Sequence, residues 1–127
     1  MSSKIVIYTG KAPAPLPVYS QAITANGVVY CSGSIALDPR SDDLIPGDIK
    51  AHAKQCIENL SAVLEGAGSS LEKVVKVNVY LSDMADFEDM NEVYSTYWGS
   101  KKPCRTCVAV KTLPLDTDIE IDCIAVL

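Results

Sequence analysis

One histidine, one tryptophan, one phenylalanine and two arginines are all that 127 residues hold of those types. Each scarcity closes off some chemistry. With His52 as the single histidine, no Ser-His or Cys-His nucleophile pair is built, and the residue, near a helix start, is expected to be solvated. A structural zinc site needs four ligands, and neither a second C-x-x-C nor a His-x-His accompanies Cys104 and Cys107. That C-x-x-C runs into a β-rich Val-Ala-Val segment rather than opening a helix, so a thioredoxin-type redox pair is not expected either. The five cysteines are odd in number and without framework spacing, which fits a reducing compartment and buried or half-buried thiols.

No apolar run approaches the roughly 20 residues of a membrane span, and the N-terminus lacks a signal-peptide core. The first arginine is Arg40, so no Arg-rich transit peptide is visible. The expected location is cytoplasmic; a nuclear pool or a processed mitochondrial form is compatible with the sequence. A net charge of −5 without clustered Lys or Arg argues against a nucleic-acid footprint. The length suits one domain, residues 1–127, with enough core to fold without disulfides or metal.

What is present has a clear order. Ile5 to Tyr8 reads as a first strand, followed by a loop fixed by Pro13, Pro15 and Pro17. Gln21–Ala25 and Val28–Gly33 flank Asn26-Gly27, the strongest short hairpin signal. Asp48 is placed to cap a helix from about Ile49 to Glu65, whose apolar positions Ile49, Ala53, Cys56, Ile57, Leu60, Val63 and Leu64 share one face. Val74 to Leu81 is a strand with Val75, Val77, Val79 and Leu81 expected on one side. Asp83 is expected to cap a second helix ending near Gly99, with a stripe of Phe87, Met90, Val93, Tyr94 and Tyr97. Strands at Thr106–Lys111 and Ile119–Val126 enclose a turn at Leu113–Asp116. The order β-ββ-α-β-α-ββ predicts an α+β fold, a single mixed sheet with both helices on one face. The other face, expected to carry Val74, Tyr80, Ile124 and Val126 beside Lys76 and Asn78, is too apolar to stay wet. A homo-oligomer with a site at the subunit seam is therefore expected.

The two arginines stand against nine lysines, so Arg105, at the mouth of an apolar strand, marks a choice of a planar fork over a point charge. Such a fork holds a small carboxylate or phosphate, and Glu120 in the next strand could position water or move protons. On spacing alone, an ordinary cross-strand Arg–Glu pair explains the two residues equally well.

The chain resembles the RidA/YjgF reactive-intermediate (enamine/imine) deaminases along nearly its whole length. The marks are Ala12-Pro13-Ala14-Pro15 leading to Tyr19-Ser20-Gln21-Ala22, Ser32-Gly33, Leu37-Asp38-Pro39, Asn59-Leu60, Ala67-Gly68-Ser69-Ser70-Leu71, Val74-Val75-Lys76 and Met90-Asn91-Glu92-Val93-Tyr94. The closing signature is Pro103-Cys104-Arg105-Thr106-Cys107-Val108-Ala109-Val110 with Leu113-Pro114 and Ile119-Glu120-Ile121. The resemblance implies a chorismate-mutase-like fold, a homotrimer with sites at the subunit interfaces, and no cofactor or metal. It implies hydrolysis of 2-imino acids and enamines such as 2-aminoacrylate to 2-keto acids and ammonia. Carried over by position, Arg105 would grip the substrate carboxylate and Glu120 would hold the attacking water. The Cys107 carbonyl would orient water or the imine nitrogen, while Tyr19, Ser32, Gly33 and Asn91 would line the pocket. The chain departs from the family pattern at Val18, Ser34, Cys104, Thr106 and Asp122, the last replacing the second glutamate of a Glu-x-Glu. A non-catalytic small-molecule-binding regulator is the alternative, and an RNA-cleaving translation inhibitor stands behind it because of the acidic charge.

Overall fold

The computed structural model describes residues 3–127. Six strands form one sheet in the order β1-β2-β3-β6-β4-β5, where β1 is Ile5–Ile7, β2 Ala22–Ala25, β3 Val28–Ser34, β4 Val74–Leu81, β5 Cys104–Ala109 and β6 Ile119–Val126. Only the β4–β5 pair is parallel, so the sheet is mixed. Two helices, α1 (Ile49–Gly66) and α2 (Phe87–Tyr94), cover one face and leave the other open. The fold is the expected α+β arrangement.

Local chemistry accounts for most of these elements. Asn26 and Gly27 adopt φ of 52° and 76°, the doubly positive turn whose twist matches its two strands. The Asp48 carboxylate accepts from the Ala51 amide at 3.1 Å and starts α1. The buried face of α1 presents Ile57, Leu60 and Leu64 to Val29, Val77, Val79, Ile119 and Ile121, all at most 1% exposed.

Three elements differ from expectation. In β4 the side chains facing the helices are Val74, Val77, Val79 and Leu81, while Val75 is 46% exposed on the open side. The register against β6 slips between Val74 and Lys76, and that bulge exchanges the expected roles of Val74 and Val75. The open face therefore carries Val75 with Tyr30, Ile124, Val126 and Val108. Asp83 caps a short 3-10 turn, Met84–Asp86, through the Ala85 amide, and α2 proper begins at Phe87. It stops at Tyr94 rather than near Gly99. The Ser95 and Thr96 hydroxyls bond back to the Glu92 and Val93 carbonyls, and buried Trp98 turns to φ 81°. Lys102 then closes the end on the Ser95 and Tyr97 carbonyls at 2.9 and 2.8 Å. Finally, β5 starts at Cys104, two residues ahead of expectation, because Cys104 already pairs with Lys76 of β4.

The thiols also divide differently. Cys56 and Cys123 are buried, Cys31 and Cys107 half-buried, but Cys104 is exposed. Three residues apart on one strand, Cys104 and Cys107 point to opposite faces and cannot pair.

Gln21 organises the proline-rich loop. Prolines remove backbone donors, and this buried amide supplies them: its Nε2 donates to the Thr9 and Pro13 carbonyls at 3.0 and 2.9 Å. Its Oε1 accepts from the Thr9 amide at 2.7 Å. Gln21→Ala removes all three bonds and leaves half-buried backbone groups of Thr9 and Pro13 unpaired. It should destabilise the fold by about 2–4 kcal/mol, read as a lower urea midpoint at unchanged slope. A midpoint equal to wild type would mean that the loop holds itself.

Candidate functional site

Seven candidate residues gather in two groups. The first surrounds a cleft of about 440 Å³ beside β3, lined by Pro13, Leu16, Tyr19, Ser32, Gly33, Pro114 and Glu120. Strand alternation in β6 puts Glu120 on the open face, directly across from Tyr80 of β4. A Cβ built on Gly33 would overlap the Glu120 carboxylate, so only glycine leaves this carboxylate its seat. The pairing of β3 with β6 shifts between Cys31 and Ser34, which turns Ser32 and Gly33 toward the cleft. The Ser32 hydroxyl donates to the Ser20 carbonyl at 2.5 Å, and its amide to the Gln21 carbonyl at 3.0 Å. Ser32 thus ties down the loop that presents Tyr19, which is 47% exposed. Burial raises the pKa of Glu120 above the ordinary carboxylate value, and the charge of Asp122 adds to the shift.

The second group lies at the β5 edge. Arg105 pairs with buried Val77 and points to the helix-covered face. Its Nη1 donates to Asn91 Oδ1 at 2.6 Å, and its guanidinium carbon lies 4.7 Å from the Tyr94 ring centre and 5.5 Å from that of Phe87. Residues 87, 91 and 94 share one face of α2, so the helix supplies two rings and an amide to hold one guanidinium. Burial pushes the Tyr94 hydroxyl up to about 12, which keeps it neutral beside the cation. Asn91 occupies one of the five guanidinium N–H donors. Cys107 follows on the same face, half-buried, its thiol pushed up by burial. Since the Val110 amide bonds to Leu81 of β4, alternation turns the Cys107 amide and carbonyl toward the sheet's free edge.

The structure brings Tyr19, Ser32, Gly33 and Glu120 together, and separately Asn91, Arg105 and Cys107. It does not join the two groups within one chain. β4 lies between β5 and β6, and Arg105 and Glu120 point to opposite faces. That geometry removes the cross-strand Arg–Glu pair left open by spacing alone.

His52 lies outside both groups and is not solvated. Its Nδ1 lies 2.8 Å from Asp118 Oδ1 and its Nε2 3.0 Å from the Ile45 carbonyl, with 15% of the side chain exposed. The start of β6 packs against the first turn of α1 and supplies that partner. Gln21, Phe87 and Tyr94 serve the site without having been singled out for it. The signal for Tyr94 was its place one turn beyond Asn91; for Gln21 it was a loop with three prolines and too few donors.

A family profile described as Endoribonuclease L-PSP matches residues 9–127. A RutC family protein of Pyrococcus abyssi is 50% identical, over 97% of this chain and 97% of its own. The 2-iminobutanoate/2-iminopropanoate deaminase of Mus musculus is 44% identical, over 99% of this chain and 95% of its own. Among solved structures, RidA from an Antarctic Psychrobacter species superposes with a TM-score of 0.92 at 41% identity, covering 97% of this chain and 99% of that one.

Proposed function

The chain belongs to the RidA/YjgF family, described as Endoribonuclease L-PSP, and on that premise we propose that it is a hydrolase of small 2-imino acids. Its substrates would be 2-iminobutanoate, 2-iminopropanoate and their enamine tautomers, released as 2-keto acids and ammonia. The observation that carries the reading is Glu120, a half-buried carboxylate of raised proton affinity set in a largely apolar cleft. Such a group suits accepting a proton from water as it adds to an electrophilic carbon and handing it on to the leaving nitrogen.

An iminium carbon needs little activation. Arg105, steadied by Asn91 and by the Tyr94 and Phe87 rings, would hold the substrate carboxylate through its planar fork. Water would add to C2 and lose a proton to Glu120. Return of that proton to nitrogen would make ammonia the leaving group, and as the C–N bond breaks the new hydroxyl would give its own proton to the Glu120 carboxylate, leaving the carbonyl of the keto acid. The Cys107 carbonyl at the free edge would accept a hydrogen bond from the imine nitrogen or the water.

Because the two groups lie on opposite faces, the complete site needs two copies of the chain. One copy would contribute the Glu120 cleft and its neighbour the Arg105 edge. A homotrimer supplies three such seams, and the exposed Tyr30, Val75, Val108 and Val126 of the open face suit burial between subunits. A cytoplasmic location fits the free thiols, and among the described residues no helix is long and apolar enough to cross a membrane.

Imine hydrolysis coupled to a serine or threonine dehydratase tests the activity. Wild-type protein should speed keto-acid release and reduce the imine trapped by semicarbazide, and Arg105→Ala should do neither at matched oligomeric state. No acceleration by well-folded wild type on either imine would instead favour a ligand-binding regulator. The RNA-cleaving reading has the family description in its favour, but the chain has net charge −5 and no basic–aromatic platform.

A further inference from the structure

The open face carries a second carboxylate that the proposed reaction does not use. Asp122 follows Glu120 by two residues on β6, so the two groups lie on one face about 7 Å apart along the strand. Asp122 is held at both oxygens. Asn78 Nδ2 donates to Oδ1 at 2.9 Å and the Tyr80 hydroxyl to Oδ2 at 3.0 Å. Tyr80 stands directly across from Glu120, and Asn78 directly across from Asp122. The clamp therefore fixes a negative charge at one distance from Glu120.

We propose that Asp122 is the positioning residue of Glu120, a pinned charge beside it that keeps the proton given up by water on Glu120 while the addition completes. The inference rests on the proposed hydrolysis. An ordinary surface aspartate would turn outward into water, whereas this one spends both oxygens on the one neighbouring strand, β4.

The groups around Glu120 agree with such a role. Along β6 it faces Asp122; from β4, Tyr80; from the proline-rich loop, Tyr19; from β3, uncharged Ser32 and Gly33; and from α1, the buried Cys56 thiol, whose pKa burial pushes up so that it stays neutral, with uncharged Asn59. Among the described residues, no lysine or arginine of the same copy lines the cleft to offset the Asp122 charge. Burial, followed by the bond to Asp122, raises the Tyr80 pKa, so its hydroxyl remains a donor through the neutral range. For Glu120 itself, burial is the larger cause of the upward shift and Asp122 the second.

Asp122→Asn keeps the shape and removes the charge. Without that charge Glu120 ionises more easily, so the acid limb of kcat/KM against pH should move to lower pH. The neutral plateau should fall about threefold or more, because a weaker base takes the proton less readily. Asp122→Glu restores the charge and should return the limb toward wild type; Asp122→Ser is a second charge-free variant if the amide does not assemble. A merely structural aspartate would lower the rate equally at every pH, and an unmoved limb in both charge-free variants overturns the proposal. Titration of the Glu120 carboxyl by carbon-13 NMR, assigned with Glu120→Gln, reads the same shift without turnover. If wild type hydrolyses no imine, the deaminase reading fails, while the carboxyl titration in wild type and Asp122→Asn still decides whether Asp122 acts on Glu120.

Discussion

Arg105→Ala and Glu120→Gln, each inactive alone, should regain activity when unfolded and refolded together. Losing the guanidinium removes two charge-assisted hydrogen bonds to the substrate, each about 1.5–3 kcal/mol, so about 100-fold or more of kcat/KM disappears. In a trimer whose sites combine the Arg105 edge of one copy with the Glu120 cleft of the next, an equal mixture rebuilds intact sites by chance. An intact Arg105 comes from a Glu120→Gln copy half the time, and an intact Glu120 from an Arg105→Ala copy half the time. About a quarter of wild-type activity should therefore return. The test separates geometry from chemistry. If both residues of one site belonged to one chain, every mixed particle would still hold only broken sites, and mixing would restore nothing. The opposite facing of Arg105 and Glu120 predicts recovery.

That facing is also where the sequence stops being legible. The chemistry of both residues is apparent from their types: one of two arginines at a strand mouth, one glutamate inside an apolar run. Whether they meet depends on strand order, and nothing local in Pro103–Val110 or Ile119–Asp122 announces that β4 inserts between β5 and β6. The hairpin at Asn26-Gly27 and the Asp48 cap were legible because their causes lie within three residues of their effects. The exchange of Val74 for Val75 was not, because the bulge is set by pairing with Ala125 and Ile124 some fifty residues later. His52 shows the same limit: its partner Asp118 is 66 residues away, and a helix-start histidine gives no hint of it. The early end of α2 is an intermediate case. Ser95 and Thr96 compete for the helix carbonyls through bonds only one turn long, but an apolar stripe that continues at helical spacing to Tyr97 points past them.

Glu120→Gln should do two opposite things, and the pairing distinguishes a functional carboxylate from a structural one. Removing the proton acceptor should lower kcat/KM by about 10²–10⁴-fold, the usual range for a positioned base. Stability should move the other way. The folded protein holds a proton on Glu120 more tightly than the unfolded chain does, because burial and then Asp122 raise its pKa. Keeping the group ionised therefore disfavours the folded state. Its contribution is most favourable below the ordinary glutamate value of about 4.3 and is lost as pH rises through the higher folded value. Glutamine has no charge to desolvate, so near neutral pH the variant should have the higher urea midpoint at equal protein concentration. The advantage should shrink as pH falls and disappear below the unfolded value. A variant less stable than wild type at neutral pH, or one whose difference ignores pH, would mean that the Glu120 carboxylate holds the fold together through bonds that the glutamine amide cannot make. In that case its loss of activity would say nothing about proton transfer. The predicted crossing of lower activity with higher stability is the signature of a charge kept in an unfavourable place for the reaction it performs.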